Sequence, residues 1–251
     1  MTLRAAISTP EGKRRYVRRL FATIADRYDF ITGFLSYGQD RRWKRRLIRL
    51  AALTPADRLL DLACGTGDLA FAAAPYASRV VGLDLTFRMV QLAARRQVAV
   101  RSAAGPRSAP PAPRFLTGDM LALPFPEASF DVVTTGYGLR NVPDLDRALL
   151  EIRRVLVPGG RLLSLDFNRP RNPLVRAGYL TYLTVVGSTL GLVLHRDPDT
   201  YRYIPESIRN YPGAEGVARL MERHGFTGVR VLPILGGLMA IHVAARDRRP
   251  A

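Results

Sequence analysis

The sequence predicts an α/β protein with a mostly parallel seven-stranded sheet, helices on both faces, extra N-terminal helices and a helical cap. Three observations predict it. From residue 57 short apolar runs alternate with segments of helical period. A glycine turn, "LLDLACGTGDLAFAAA" (59 to 74), joins the first run to the first such helix. The chain closes with two strand-like runs, "GFTGVRVLPI" and "LMAIHVAA", paired around Gly236 and Gly237.

Residues 10 to 52 read as helical: Val17, Leu20, Phe21 and Ile24 recur at helical spacing, and a second helix starts near Asp40 and carries Trp43, Leu47 and Leu50. Then come "RLLDLA", a helix from about 67, "RVVGLDL", a helix over 86 to 98, "RFLTGD", "FDVVTTGYG", a helix over 144 to 156, and "GRLLSLDF". The Pro-, Ala- and Ser-rich stretch from 101 to 114 reads as a mobile surface connection. "AGYLTYLTVVGSTLGLVL" (177 to 194) has no charge, but three glycines and its length argue against a membrane span. It is expected to be a buried helix, or a cap offering an apolar surface to a greasy ligand. A last helix is expected at 214 to 225. The organisation is an N-terminal helical segment, 1 to 52, and a sheet domain, 53 to 251, with a flexible insert near 101 to 113 and a helical cap at about 172 to 208.

With 47% hydrophobic residues among 251, the chain can bury a substantial core. A single cysteine, Cys64, excludes a disulfide framework within the chain and fits a cytosolic protein. The first twenty residues lack the apolar core of a secretory signal. The net charge of +17 is concentrated at 12 to 19 and 41 to 49. It suits a solvated face or an anionic membrane surface; no nucleic-acid module accompanies it.

The spacing Gly65-x-Gly67-x-x-Ala70 fits a dinucleotide cradle, with Asp84 at the end of the next strand to accept from ribose hydroxyls. The same features serve S-adenosylmethionine. Three further features favour the methyl donor. Asp61 and Asp68 flank the turn, where a pyrophosphate is repelled and an ammonium is welcome. Asp119, in "GDMLALPF", is placed to accept from an adenine amino group, and "RVLVPGGRLL" supplies a Pro-Gly-Gly turn into the next strand.

This ordered set resembles the Rossmann-like class I methyltransferases that use S-adenosylmethionine. "DRYDFITGFLSYGQDRRWKRR" (26 to 46), "DLACGTGD" (61 to 68), the run from 121 to 167 and "YRYIPESI" (201 to 208) are similar to the ubiquinone and menaquinone biosynthesis C-methyltransferase family, from about residue 20 to 244. The resemblance implies that Thr66 in the turn, Asp84 on the ribose, and Asp119 with Met120 around the adenine hold the donor, and that no metal is used. Cys64 stands where many relatives have glycine, and Gly136 where some have a serine that touches the cofactor. The implied reaction is methyl transfer to a ring carbon of a reduced polyprenyl quinol, demethylmenaquinol above a benzoquinol, with another small-molecule or lipid methyltransferase as the rival within the class. A nicotinamide oxidoreductase and a non-enzymatic binding subunit are the readings from other classes.

Such chemistry needs a ring oxygen freed of its proton and its charge stabilised. Arg140 and Asn141 follow the strand ending at Gly138, at the ligand-binding edge of such sheets, and are expected to hold a phenolate or water and to fix the ring hydroxyl. The alternative for Arg140 is a brace to Asp144 or Asp146. Tyr201, Tyr203 and Tyr28 are candidates for the ring pocket, with Tyr201 assigned to the chemistry, and Asp29 and Glu206 are lesser proton acceptors. His195, His224 and His242 are expected to be structural. The apolar segment and basic helices suggest a mouth on the inner leaflet of the membrane, and a homo-oligomer is left open.

Overall fold

Strand β1 (Arg58–Leu62) forms the middle of the sheet because it pairs in parallel on both edges, with β2 (Arg79–Asp84) and β4 (Phe130–Gly136). The computed structural model describes residues 3–104, 112–197 and 200–248. Outward from β2 lies β3 (Arg114–Thr117); outward from β4 lie β5 (Leu156–Phe167), β7 (Met239–Arg246) and β6 (Phe226–Ile234), giving the order β3-β2-β1-β4-β5-β7-β6. Strand β7 runs antiparallel to both neighbours, as the closing glycine pair predicts. The strand order reverses between β1 and β4, so a crevice opens at their carboxyl ends.

Period-two alternation assigns each strand's side chains to two helical layers. Leu60 and Leu62 face one core with Leu149 and Ile152 of α7 (Leu145–Val155) and Val217 and Met221 of α10 (Gly213–Arg223). Leu59 faces the other with α5 (Asp68–Ala73) and with Trp43, Leu47 and Ile48 of α4 (Asp40–Ala51). The last N-terminal helix thus belongs to the sheet's own core. Before it come α1 (Leu3–Ala6), α2 (Pro10–Ile24) and α3 (Tyr28–Leu35). Helix α2 begins at the cap expected of its sequence: Thr9 Oγ1 accepts from Gly12 N at 3.1 Å, and Pro10 opens the first turn.

The structure corrects three expectations. Helix α6 (Phe87–Ala104) runs six residues past 98, because nothing in its Ala-rich end breaks it before Gly105 and Pro106; residues 105–111 of the proposed mobile insert lie outside the described residues. The Pro-Gly-Gly segment is a kink inside β5, where the pairing with β4 jumps from Leu156 to Arg161. The apolar segment is not a buried helix: in α8 (Pro173–His195) the buried residues are Leu180, Leu183, Gly187 and Gly191. Helix α9 (Tyr203–Arg209) packs beside it.

Leu149 is fully buried in the first core. Leu149→Ala is expected to cost about 2–5 kcal/mol in urea unfolding while leaving donor affinity unchanged, since it lies in the packing between α7 and the sheet.

Candidate active site

The glycine turn is left-handed at Ala63, Gly65 and Gly67, with φ of 52°, 54° and 90°. At Gly67 a Cβ would stand 2.8 Å from the Phe115 ring and 2.9 Å from Phe71, so only glycine fits the start of α5. Asp84 fixes the turn: its Oδ2 accepts from Gly65 N at 2.9 Å and its Oδ1 from Thr86 N at 2.8 Å. Cys64 is buried in packing beside the turn, and burial raises its thiol well above the usual range.

Asp61 faces this turn from β1. Its Oδ1 accepts from Thr134 Oγ1 at 2.9 Å, whereas Oδ2 is buried and, among the described residues, makes no hydrogen bond of good geometry, with the Ala70 backbone as its polar neighbour. Burial is the main cause that pushes its pKa to about 7. The small cavity it lines with Gly65, Thr66, Gly136 and Tyr137 therefore holds an unpaired acceptor, which suits a ligand ammonium. Asp68 is not free in the same way, because Lys44 Nζ at 2.9 Å and Arg96 Nη1 at 2.5 Å already hold it. Thr66 Oγ1 donates to Asp29 Oδ1 at 2.6 Å, tying α3 to the turn, and Asp29 does not line the apolar cavity between α2, α3, α8 and α9, so it is placed as an anchor of the turn.

A larger cavity continues from the turn past Asp84, Met89, Asp119 and Met120, roofed by Arg14, Val17 and Phe21 of α2. Asp119 Oδ1 accepts from Leu121 N at 2.9 Å, and Oδ2 pairs with Arg14 Nε at 2.8 Å. The neighbouring Lys13 donates to the carbonyls of Arg140 at 3.1 Å and Val142 at 2.6 Å. Burial, then the charge of Arg140, lower its pKa to about 8. Sequence reasoning took both residues for surface charge. The missed signal was spacing, since Lys13, Val17, Phe21 and Ile24 share one helical stripe.

Phe21, Tyr28 and Tyr137 line this cavity and also a second, apolar one between α2, α3, α8 and α9. Tyr137 is held there by its hydroxyl, which donates to Asp40 Oδ1 at 2.6 Å, and Lys44 Nζ pairs with Asp40 at 2.7 Å. Among the described lining residues of the second cavity, Arg140 is the charged one; the rest are aliphatic, aromatic or hydroxyl-bearing, including Tyr201, Tyr203 and Tyr28.

Arg140 does not brace Asp144 or Asp146. Its Nε stands 3.1 Å from Asp166 Oδ1 in a buried ion pair, its backbone N donates to Asp166 Oδ2 at 3.1 Å, and Nη1 donates to Ser207 Oγ at 2.8 Å. The guanidinium lies over the Phe167 ring, 4.8 Å from its centroid. Asn141 is displaced from its expected role. It lines the donor-side cavity, its Oδ1 accepts from Arg140 Nη1 and its Nδ2 donates to the Tyr137 carbonyl at 2.7 Å, so it orients Arg140 and does not fix a ring hydroxyl.

Tyr201 is also corrected, because its hydroxyl is engaged with His195 Nε2 at 2.9 Å and only its ring is left to line the cavity. Tyr203 Oη is buried with no hydrogen-bond partner among the described residues, and burial raises its pKa. Glu206 pairs with Arg209 at 3.0 Å and does not line the cavity. His224 meets Asp146 and His242 the Ala214 carbonyl, structural as expected.

A family model described as the ubiE/COQ5 methyltransferase family matches residues 9–246. The chain belongs to this family. It is 41% identical over 229 residues to the demethylmenaquinone methyltransferase of Thermus thermophilus, covering 90% of this chain and 100% of that one. It is 36% identical to the ubiquinone/menaquinone biosynthesis C-methyltransferase of Teredinibacter turnerae, covering 92% of this chain and 91% of the other. An S-adenosylmethionine-dependent methyltransferase from Thermotoga maritima shares the fold at a TM-score of 0.63 and 19% identity, over 92% of this chain and all of the other. The family makes S-adenosylmethionine the methyl donor, and the glycine turn, the buried Asp61 oxygen and the Asp84 edge fit it.

Folded Asp61 keeps its proton up to about pH 7, whereas an unfolded aspartate loses it near pH ~4. Between those values the native state holds the extra proton, so stability falls as pH rises. Asp61→Asn is expected to remove that slope in chemical unfolding from pH 4 to 8. Calorimetric titration is expected to show donor affinity rising from pH 6 to 8 in the wild type and flat in Asp61→Asn.

Proposed function

We propose that this methyltransferase moves the methyl group of S-adenosylmethionine to a ring carbon of a reduced polyprenyl quinol, with demethylmenaquinol as the preferred acceptor and the inner face of the cell membrane as its place of work. The observation that carries the reading is the lone guanidinium of Arg140 in an aromatic and aliphatic cavity that shares a wall with the donor site. The domain division supports it: α2 and α3 roof both cavities, and the cap from 172 to 208 closes the second.

The donor supplies an electrophilic methyl group. The residues of this chain make the acceptor nucleophilic. Among the described residues Arg140 Nη2 has no hydrogen-bond partner, and in an apolar cavity a cation favours the ionised form of a neighbouring ring hydroxyl. Arginine stays protonated, so it stabilises the oxyanion and the hydroxyl proton leaves to water. Charge on that oxygen is delocalised to the adjacent carbon, which takes the methyl group as its bond to the donor's sulfur breaks; loss of the ring proton restores the aromatic ring as a quinolate, which takes a proton back from water to give the methylated quinol. Tyr203 Oη gives the second ring oxygen a partner, and Tyr28 and Tyr137 hold the ring at the shared wall.

The test offers reduced demethylmenaquinol and a benzoquinol side by side with labelled donor, and reads product mass and methylation site. Label on the naphthoquinol ring carbon is expected; a labelled benzoquinol alone moves the protein to the ubiquinone branch, and neither labelled removes the proposal. Arg140→Ala is expected to lower kcat about 10²–10³-fold with donor Kd unchanged. It also leaves Asp166 buried without its cation, a loss of about 3–5 kcal/mol, so turnover is measured below the lowered Tm.

A further inference from the structure

Helix α8 is apolar on all sides, which in a globular protein belongs to a helix buried all round. Here it is not. Its inner face is fixed to the protein: Leu180 and Leu183 are buried, and at Gly187 a Cβ would stand 3.2 Å from Tyr201. Its outer face carries Leu174, Val185, Leu192 and Val193 into solvent, with Val185 60% and Val193 72% exposed. The helix is long and apolar enough to cross a membrane, but the packed face holds it flat along the domain.

Helix α3 extends the patch. Its Phe30 and Phe34 are exposed beside the charged Asp29, Arg41 and Arg96, and just after it the hydroxyl of Tyr37 bonds to that of Tyr182 in α8. Tyr37, Tyr182 and Leu235 also line the acceptor cavity while exposed at 75%, 38% and 51%, so the patch surrounds the mouth of that cavity. Arg171 precedes α8, Arg176 lies in its first turns, and Arg196 with Asp197 follows its last residue, on a chain of net charge +17.

We propose that the outer faces of α8 and α3 form a membrane-docking surface that lies in the headgroup and acyl boundary of an anionic bilayer. Apolar side chains with arginines before and after them suit that boundary, and tyrosines such as the Tyr37 and Tyr182 pair favour the level where acyl chain and headgroup meet. The acceptor cavity then opens into lipid. Resting on the quinol reading, the consequence is that only the ring enters the protein while the polyprenyl tail stays in the bilayer.

The test is flotation of the full chain with vesicles of mixed phosphatidylglycerol and phosphatidylcholine or of phosphatidylcholine alone, for the wild type and for the double variant Val185→Glu with Leu192→Glu. The wild type is expected to float with the anionic vesicles more than with the neutral ones. The double variant is expected to bind about tenfold or more weakly, with an unchanged Tm and unchanged methylation of a water-soluble short-tailed quinol. Equal flotation of the two proteins overturns the proposal. So does a wild-type dimer in sedimentation that the variant splits, which assigns the face to a second copy. Vesicle binding lost in the variant with no methylation of the soluble quinol by either protein supports the surface and removes the quinol reading alone.

Discussion

The buried pair of Arg140 and Asp166 is the interaction around which the acceptor side is arranged. It joins the turn after β4 to the end of β5, and Ser207 brings α9 to the same guanidinium. Lys13 then holds α2 to the carbonyls that flank Arg140. A charge at this depth is tolerable only with its partner in place, so four separate segments are committed to one geometry. The arrangement keeps a cation in an apolar cavity without letting water surround it.

A second network does the same for the wall between the cavities. Tyr137, Asp40, Lys44, Asp68 and Arg96 form a chain of hydrogen bonds and ion pairs from the carboxyl end of β4 through α4 to α5 and α6. The pKa of Lys44 stays raised despite burial because Asp40 and Asp68 outweigh the desolvation. Asp61, on the other side of the turn, is left without such a partner, and its burial sets it apart as the acceptor for a ligand cation.

The succession of strands and helices, the closing antiparallel pair, the glycine turn and the carboxylate after β2 were legible because each rests on local periodicity or on a backbone conformation only glycine takes easily. The position of Arg140 at the sheet's ligand edge was legible for the same reason. Its partner was not, since Asp166 is 26 residues away and reads as an ordinary residue near a strand end. Tyr201 and Asn141 were assigned to the chemistry, Asp68 to a ligand ammonium and Asp29 to proton acceptance by type and position, and each proved to be engaged by another side chain or carbonyl.

By itself the sequence determined the αβ alternation, the cradle for the donor and the family likeness, because these are written in residues that are neighbours along the chain. Only the tertiary structure decided which buried polar atoms remain unpaired among the described residues, Asp61 Oδ2 and Tyr203 Oη among them, and which apolar face of α8 stays exposed. Pairing and exposure depend on partners far apart in sequence. "LLDLACGTGDLAFAAA" fixes how the turn bends; the fold around it decides what the turn has left to bind.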